Sequence, residues 1–421
     1  MDAWQTLVHV CRRWRYIVFA SPRQLDLQLH CTERRPVRKL LDVWPALPIT
    51  IRHCSDETLL TKDIDNILAA LERNDRVCSI NLPLVPSSVL ERVAAAMQEP
   101  FPELTHLSLW SHAGMVTVLA VPETFLGGCA PRLRSCRVDS LPFPALRKLA
   151  LSASHLVNLE LHRIPHSGYS SPDTLINCLS AMTNLERLSI WIRSPPDRSP
   201  PHPTRTKFPA LTHLDVGGFN EYLEDFISQI DAPRLSHIKL LYFHRDILDV
   251  SQLYRFIDRT EKLMAVNRAE LYFYDDFLLF HLSQEIESFR HPRVFLRIYA
   301  ESNQRLLSLA QVCTSSFPPL RTVEHLYIIE ETYLEEEMEK TRLLELFRLF
   351  PAVKNLYVYK EAMLRVASAL QELARERLTD VLPILQNLFL NGPQPSKSIE
   401  DAIDEFVVTR RLCVTVGQRD W

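Results

Sequence analysis

Aliphatic side chains recur along this chain in the spacing L-x-x-L-x-L, where L stands for an aliphatic residue or its close equivalent. Clear copies begin at Leu104, Leu133, Leu146, Leu156, Leu185, Leu211, Leu235, Val323, Val353 and Leu385. Weaker copies begin at Val77 and Val266, and strand-like runs cover Val294 to Ile298 and Leu412 to Val416. Apolar and polar residues alternate inside each copy, as they do in a β-strand with one buried face. The central residues stand at 80, 107, 136, 159, 188, 214, 238, 269, 296, 326, 356, 388 and 414, which is 24 to 32 residues apart except for 23 between 136 and 159. The copy starting at Leu146 falls inside that shortest interval. A strand and a helix do not fit on both sides of it, so one of these segments is predicted to be a connection.

A phrase leads into many of the copies: Phe101-Pro-Glu-Leu, Ala130-Pro-Arg-Leu, Phe143-Pro-Ala-Leu, Phe208-Pro-Ala-Leu, Ala232-Pro-Arg-Leu, Phe317-Pro-Pro-Leu and Phe350-Pro-Ala-Val. Proline there fixes φ and ends a preceding helix, and the aromatic residue is expected to seal the seam between turns. Between the strands, 62–74, 86–97, 171–179, 221–230, 250–263, 302–313, 335–349, 361–378 and 397–410 carry apolar residues at helical spacing. Strand and helix alternate in units too small to bury their own apolar faces, which predicts an α/β leucine-rich-repeat solenoid with an inner parallel sheet and outer helices. The alternative, a doubly wound open sheet, would have to accommodate thirteen near-equal units, more than such sheets ordinarily hold.

The residues on either side of each central aliphatic are expected on the open, concave side of the sheet. They include His106 and Ser108, Lys148 and Ala150, Asn158 and Glu160, Arg187 and Ser189, His213 and Asp215, His237 and Lys239, His325 and Tyr327, Asn355 and Tyr357, Asn387 and Phe389. Trp110, His162, Trp191, Leu241 and Tyr359 lie one step further out, and the register around Glu270 is left open. Aromatic and arginine side chains dominate binding hot spots. The expected partner-binding residues are therefore His106, Trp110, Arg187, Trp191, His213, His237, His325, Tyr327, Tyr357 and Tyr359. His213 and His237 come from successive copies and would lie about 5 Å apart if their strands pair. No cysteine or carboxylate spacing completes a metal shell around them, so no metal is expected; a row of histidines there would make binding sensitive between about pH 6 and 7.

Composition narrows the chemistry. Eight glycines among 421 residues is about 2%, well under the usual share, while 28 prolines is slightly above average. The glycines form no Walker loop, dinucleotide-binding turn or nucleophile elbow. No HExxH motif is present, and Pro165 inside His162-x-x-x-His166 prevents both imidazoles from sharing a helix turn. No enzymatic activity and no cofactor are expected. Forty-eight basic and 51 acidic residues give a net charge of −3, which does not steer the chain toward nucleic acid or anionic lipid. Nine cysteines without a CxxC pair fit a reducing compartment. Residues 194–207, rich in proline and basic side chains, are expected to form an exposed loop that is neither helix nor strand. The acidic run Glu330, Glu331, Glu335, Glu336, Glu337 and Glu339 is expected on the solvated start of a helix.

The N-terminal twenty residues are apolar, but Arg12, Arg13 and Arg15 interrupt what would be a signal-peptide core, so they read as a folded helix. Trp4, Leu7, Val10, Cys11, Trp14 and Val18 make one apolar stripe on it that must be covered. The segment Trp4-x-x-Leu7-x-x-Val10-Cys11-Arg12-Arg13-Trp14 through Ser21-Pro22 resembles the second half of an F-box. The stretches Leu25 to Leu29 and Arg35 to Ile51 resemble fungal F-box-like proteins that carry leucine-rich repeats. The first half of that motif is missing here. The resemblance implies that Trp4, Leu7, Val10, Cys11 and Trp14 dock a Skp-family adaptor and, through it, a cullin complex; the alternative is that the helix simply caps the first repeat.

The predicted organisation is a partial F-box-like segment over 1–24, a linker and solenoid cap over 25–75, and the repeat domain over 76–421. The expected function is that of a substrate-recognition subunit of an SCF ubiquitin ligase, in the cytoplasm or nucleus, holding a target protein on its concave face. The alternative is a leucine-rich-repeat scaffold with no ubiquitin role, and a third class, an enzyme on an α/β fold, would require a deep pocket of converging titratable groups.

Overall fold

The computed structural model describes residues 3–20, 28–32, 37–43, 46–53, 61–111, 122–140, 146–164, 170–192, 205–243, 250–274, 276–284, 292–299, 317–330, 340–359, 362–376, 379–391 and 397–417. The chain forms two compact units, Met1–Ser194 and Pro195–Trp421.

The first unit opens with two helices rather than one, α1 (Ala3–Val10) and α2 (Arg12–Ala20), separated at Cys11. Arg15 ties them together by donating its Nε–H to the carbonyl of Val8 at 3.0 Å. The break divides the expected apolar stripe. Val8 and Val18 are buried, whereas Leu7, Val10 and Trp14 are 38%, 62% and 48% exposed and Cys11 is exposed as well. Trp4 lies on α1, and its side chain is outside the described residues. The stripe is thus left open where the periodicity required a cover.

After this pair the strands follow in order: β1 (Leu29–Thr32), β2 (Ile49–Arg52), β3 (Val77–Val85), β4 (His106–Ser111), β5 (Ser135–Asp139), β6 (Asn158–Ile164) and β7 (Arg187–Ile192). Each pairs in parallel with the next. The sheet therefore begins at Leu29, within the span 25–75 expected to be linker and cap. Helices α3 (Val37–Val43), α4 (Thr61–Leu71), α5 (Ser87–Ala96), α6 (Leu146–Ser152) and α7 (Pro172–Leu179) make the returns that parallel strands need. The central aliphatics align across the sheet as Ile51, Ile80, Leu107, Cys136, Leu159 and Leu188, all buried. Repetition of the triplet thus sets the register. Burial in this ladder pushes the Cys136 thiol up to about 12. The copy starting at Leu146 is the connection, helix α6, so Lys148 and Ala150 lie on a helix and not on the open sheet face.

The Phe-Pro and Ala-Pro phrases act on the strand that follows more than on the helix before. Leu104, Leu133, Leu211, Leu235, Leu320 and Val353 each donate a backbone N–H to the carbonyl three residues back, at Phe101, Ala130, Phe208, Ala232, Phe317 and Phe350. Proline occupies the second position of that turn, where its fixed φ belongs. The first residue of each phrase is 3% exposed or less. Phe143 lies outside the described residues.

One glycine is demanded by geometry. Gly127 sits at φ +59 in the short 3-10 turn Phe125–Gly128, and a Cβ there would lie 2.6 Å from the backbone nitrogen of Pro100. Gly127→Ala is expected to lower the unfolding free energy by about 2–4 kcal/mol, from left-handed strain plus overpacking. Urea denaturation checks this, and a loss below about 0.5 kcal/mol would show that the Pro100 turn yields freely.

In the second unit the strands are β8 (Thr206–Lys207), β9 (His213–Phe219), β10 (Ile230–Asp231), β11 (His237–Phe243), β12 (Arg268–Phe273), β13 (Phe277–Ser283), β14 (Val294–Tyr299), β15 (His325–Glu330), β16 (Asn355–Tyr359), β17 (Asn387–Asn391) and β18 (Cys413–Gly417). The helices are α8 (Asn220–Ser228), α9 (Ser251–Asp258), α10 (Glu261–Met264), α11 (Lys340–Arg348), α12 (Ala362–Glu376) and α13 (Lys397–Arg410). The expected helix over 302–313 lies outside the described residues, as do 193–204 of the proline-rich insertion and the acidic residues 331–339. The last residues of that insertion are not loop: β8 pairs in parallel with β10. Glu330 is not solvated either, being 3% exposed.

The main sheet of this unit departs from a uniform solenoid. β9 and β11 pair in parallel, and β12 and β15 through β18 do the same, but between them the order of strands across the sheet is β11, β14, β13, β12. β13 is antiparallel to both of its neighbours. The copies around 269 and 296 are therefore the outer strands of an inserted meander rather than successive repeats. β13 itself has no L-x-x-L-x-L copy. Glu330 is buried on the helix side of the sheet, where its carboxylate meets Arg365 of α12 at 2.6 Å. Phe273, Ile328, Leu343, Ala362 and Val366 line the space around the pair. Among the described residues no helix is long and apolar enough to cross a membrane.

Candidate functional site

Because aliphatics at the central positions face the helices, the intervening side chains stand on the opposite face of each sheet, and burial alternates accordingly in β6, β7, β15, β16 and β17. All of the expected partner-binding residues lie on that open face, but in separate groups.

In the first unit Trp110 lies 4.2 Å beneath the guanidinium of Arg137, which pairs with Glu160 at 3.4 Å. Trp191 stacks on His162 at 4.6 Å, and His162 Nε2 bonds Ser189 Oγ at 2.7 Å. His106 and Arg187 are exposed. Between Trp110 and His162 in the register, Asp139, nearly buried, pairs with Arg163 at 2.7 Å.

In the second unit His213 and His237 pair across β9 and β11, with ring centroids 4.5 Å apart and planes within 4°. A hydroxyl on the preceding residue fixes each ring: Thr212 Oγ1 lies 2.9 Å from Nδ1 of His213, and Ser236 Oγ lies 2.8 Å from Nδ1 of His237. Thr105 holds His106 in the same way. Among the described residues no group of three or more His, Cys, Asp or Glu is placed to hold a metal ion.

A longer array runs across β12, β15, β16 and β17. The guanidinium of Arg268 sits 3.9 Å from the Tyr327 ring; Tyr327 stacks on Tyr357 at 4.1 Å, and Tyr357 on Phe389 at 4.5 Å, with the planes of stacked rings 1° and 8° from parallel. Register puts these rings in one row, since equivalent positions of parallel strands lie side by side. Beside it runs a polar row. Asn387 donates to Asn355 Oδ1 at 2.7 Å, and His325 Nδ1 is approached by Asn355 Nδ2 at 3.3 Å and the Tyr357 hydroxyl at 3.4 Å. Tyr359 stands one row further on, opposite Asn391.

The anchor of this array is Glu270, which sequence reasoning left without a register. It is 4% exposed although it lies on the open face. Arg268 Nε reaches it at 2.6 Å, the Tyr272 hydroxyl donates to it at 2.8 Å, and the His281 imidazole stands 3.6 Å away. Burial alone pushes the Glu270 carboxyl up, but His281, Arg268 and Tyr272 together outweigh it and hold it below its ordinary value. Burial, and then the Glu270 charge, push the Tyr272 hydroxyl up; burial does the same to Tyr327 against the charge of Arg268. The other residues missed from sequence, Phe277, His281, Phe295 and Arg297, lie on β13 and β14 of the meander. The signal for Phe277 and His281 was the close succession of two apolar runs, 269–273 and 277–282, in the spacing of adjacent strands.

Parallel strands with aliphatic ladders in register, returning through helices, define a leucine-rich-repeat α/β fold of the solenoid type, interrupted by one antiparallel meander. A solved structure similar to this chain is that of the leucine-rich repeat-containing protein LegL7 from Legionella pneumophila, 13% identical, with 90% of this chain and 97% of that chain covered and a TM-score of 0.29. No protein-family model and no curated protein matches the chain.

Proposed function

We propose that this chain is a non-catalytic protein-interaction scaffold that holds a partner protein against the open face of its repeats. The observation that carries this reading is the row Arg268, Tyr327, Tyr357 and Phe389. Its rings are half-exposed, pre-stacked and held by a buried carboxylate, so that little ordering entropy remains to be lost on binding. Aromatic and arginine side chains so fixed are the usual anchors of protein interfaces. Neither cofactor, nucleic acid nor membrane is required.

Within this reading we further propose the finer role of a substrate-recognition subunit of an SCF ubiquitin ligase, acting in the cytoplasm or nucleus. The exposure of Leu7, Val10 and Trp14 favours it over a simple cap, because a cap buries its apolar side chains whereas these stand ready for an adaptor. Trp4 lies on the first of the two N-terminal helices and Cys11 at the break between them.

Crosslinking capture followed by mass spectrometry separates the two levels. Tyr357→Ala is expected to lower recovery of the target protein about tenfold or more and to leave any adaptor bound. Trp14→Ala is expected to release a Skp-family adaptor and leave the target. Equal recovery of every protein by the wild type and Tyr357→Ala sinks the scaffold reading; no adaptor recovered with the wild type sinks the ligase role alone.

A further inference from the structure

We propose that Arg297 and the aromatic rings around it form a receptor for a carboxylate carried by an apolar, aromatic-rich peptide segment of the partner protein. The inference rests on the interaction role proposed above and assigns it a chemistry. Arg297 projects from β14 on the open face, in register with Leu241 of β11 and Leu279 of β13. Both leucines are nearly buried, at 2% and 7% exposed. The guanidinium therefore stands on an apolar floor.

Its remaining contacts are with rings. The guanidinium carbon lies 4.6 Å from the centre of the Phe277 ring and 6.0 Å from that of Tyr299, and Nη1 donates to the Tyr299 hydroxyl at a long 3.4 Å. Among the described residues Nε is buried with no hydrogen-bond partner, and no carboxylate stands within ion-pair distance. Other cations on the same face are matched: Lys239 pairs with Asp215 at 3.3 Å and Arg268 with Glu270 at 2.6 Å. A buried donor without an acceptor is costly, and each such group in a folded protein calls for an explanation; at Arg297 the missing ion-pair partner points to a bound ligand.

The surroundings select what completes this one. Phe219, Phe243, Tyr299, Phe277 and Tyr274 follow one another across β9, β11, β14 and β13 with centroids 4.4 to 6.3 Å apart, each half-buried. They form a belt along the strand ends beside the guanidinium. A planar fork in an apolar setting matches a planar carboxylate, with hydrogen bonds about twice as strong as neutral ones. The belt is longer than one carboxylate and lies on an open face, which suits an extended segment with aromatic or aliphatic neighbours on either side of the acid. A nucleic acid would need several unpaired cations for successive phosphates, and here Lys239 and Arg268 are already committed.

The test uses the full chain and short acetylated, amidated peptides bearing Asp or Glu between Phe and Leu, each compared with its Asn or Gln counterpart by fluorescence anisotropy. The acidic peptides are expected to bind about tenfold more tightly than the amides. Arg297→Gln should erase that preference, and Phe277→Ala should weaken both classes about tenfold. Equal binding of acid and amide by the wild type overturns the proposal. So does a preference that survives Arg297→Gln, or a phosphotyrosine peptide that outcompetes the carboxylates. If Tyr357→Ala abolishes partner capture while the peptides show no preference, the carboxylate site fails and the scaffold reading stands. If the wild type prefers acid yet captures no partner, the scaffold reading fails and the site stands.

Discussion

Glu270→Ala is expected to destabilise the second unit by about 3–5 kcal/mol, the cost of breaking a buried charge pair by removing one partner. The carboxylate is the point on which Arg268, Tyr272 and His281 converge. Glu270→Gln keeps the volume and one acceptor, and should lose about half as much. Replacing Arg268 and Glu270 together by Met and Leu should recover most of the loss, since apolar substitutes of similar size often match a buried pair. The Glu270 carboxyl titrates lower in the folded chain than at its ordinary value of 4.5. Its contribution is therefore complete above about pH 4.5 and disappears as the pH falls through the lower folded value. Urea denaturation of the wild type and Glu270→Gln across this range should show the two curves converging on the acid side. A constant gap, or a loss for Glu270→Ala below about 0.5 kcal/mol, would show that the cluster does not hold the sheet.

Arg365→Ala should cost a similar amount, about 3–5 kcal/mol, but on the other face of the sheet. Its guanidinium meets a Glu330 carboxylate that is 2% exposed, among Phe273, Ile328, Leu343, Ala362 and Val366. Arg365→Lys retains the charge without the planar fork and should fall between. Arg38 and Glu72 give the contrast, an ion pair at 3.1 Å with side chains 72% and 61% exposed. Arg38→Ala should change stability by less than about 1 kcal/mol. Thermal unfolding followed by circular dichroism reads both, and equal shifts for Arg365→Ala and Arg38→Ala would show that burial does not strengthen the inner pair.

The aliphatic triplets made most of the fold legible, because each one fixes both a strand and its facing direction. The stacking of His213 on His237 followed from the same rule, as equivalent positions of paired strands must meet. Lys148 and Ala150 were misplaced because α6 carries the triplet spacing by coincidence. β13 escaped for a different reason: Leu278, Phe280 and Leu282 face the core, and Leu279 is buried on the open face as well. Burial on both faces erases the alternation that marks a strand. Nor did spacing reveal the strand order, since the central residues at 238, 269, 296 and 326 keep the repeat period while the chain doubles back. The site was half legible. Tyr327 and Tyr357 could be placed from their triplets, but Glu270, His281 and Arg297 owe their positions to pairings that the period does not encode. The break at Cys11 has neither proline nor glycine to announce it.

The doubling back at β12 also sets how the second unit can assemble. In an uninterrupted array each strand finds its neighbour one repeat later, so growth proceeds by adding adjacent units to a formed edge. β11 has no such successor. The strand beside it, β14, is made only after the chain has passed through α9, α10, β12 and β13. The meander must close before β11 acquires a partner on that side, and β15 pairs with β12 at its far edge. That closure joins segments distant in sequence and so adds a slow, entropically costly step to an otherwise local process. Once closed, it joins the strands before it to those after it, through β14 on one side and β12 on the other.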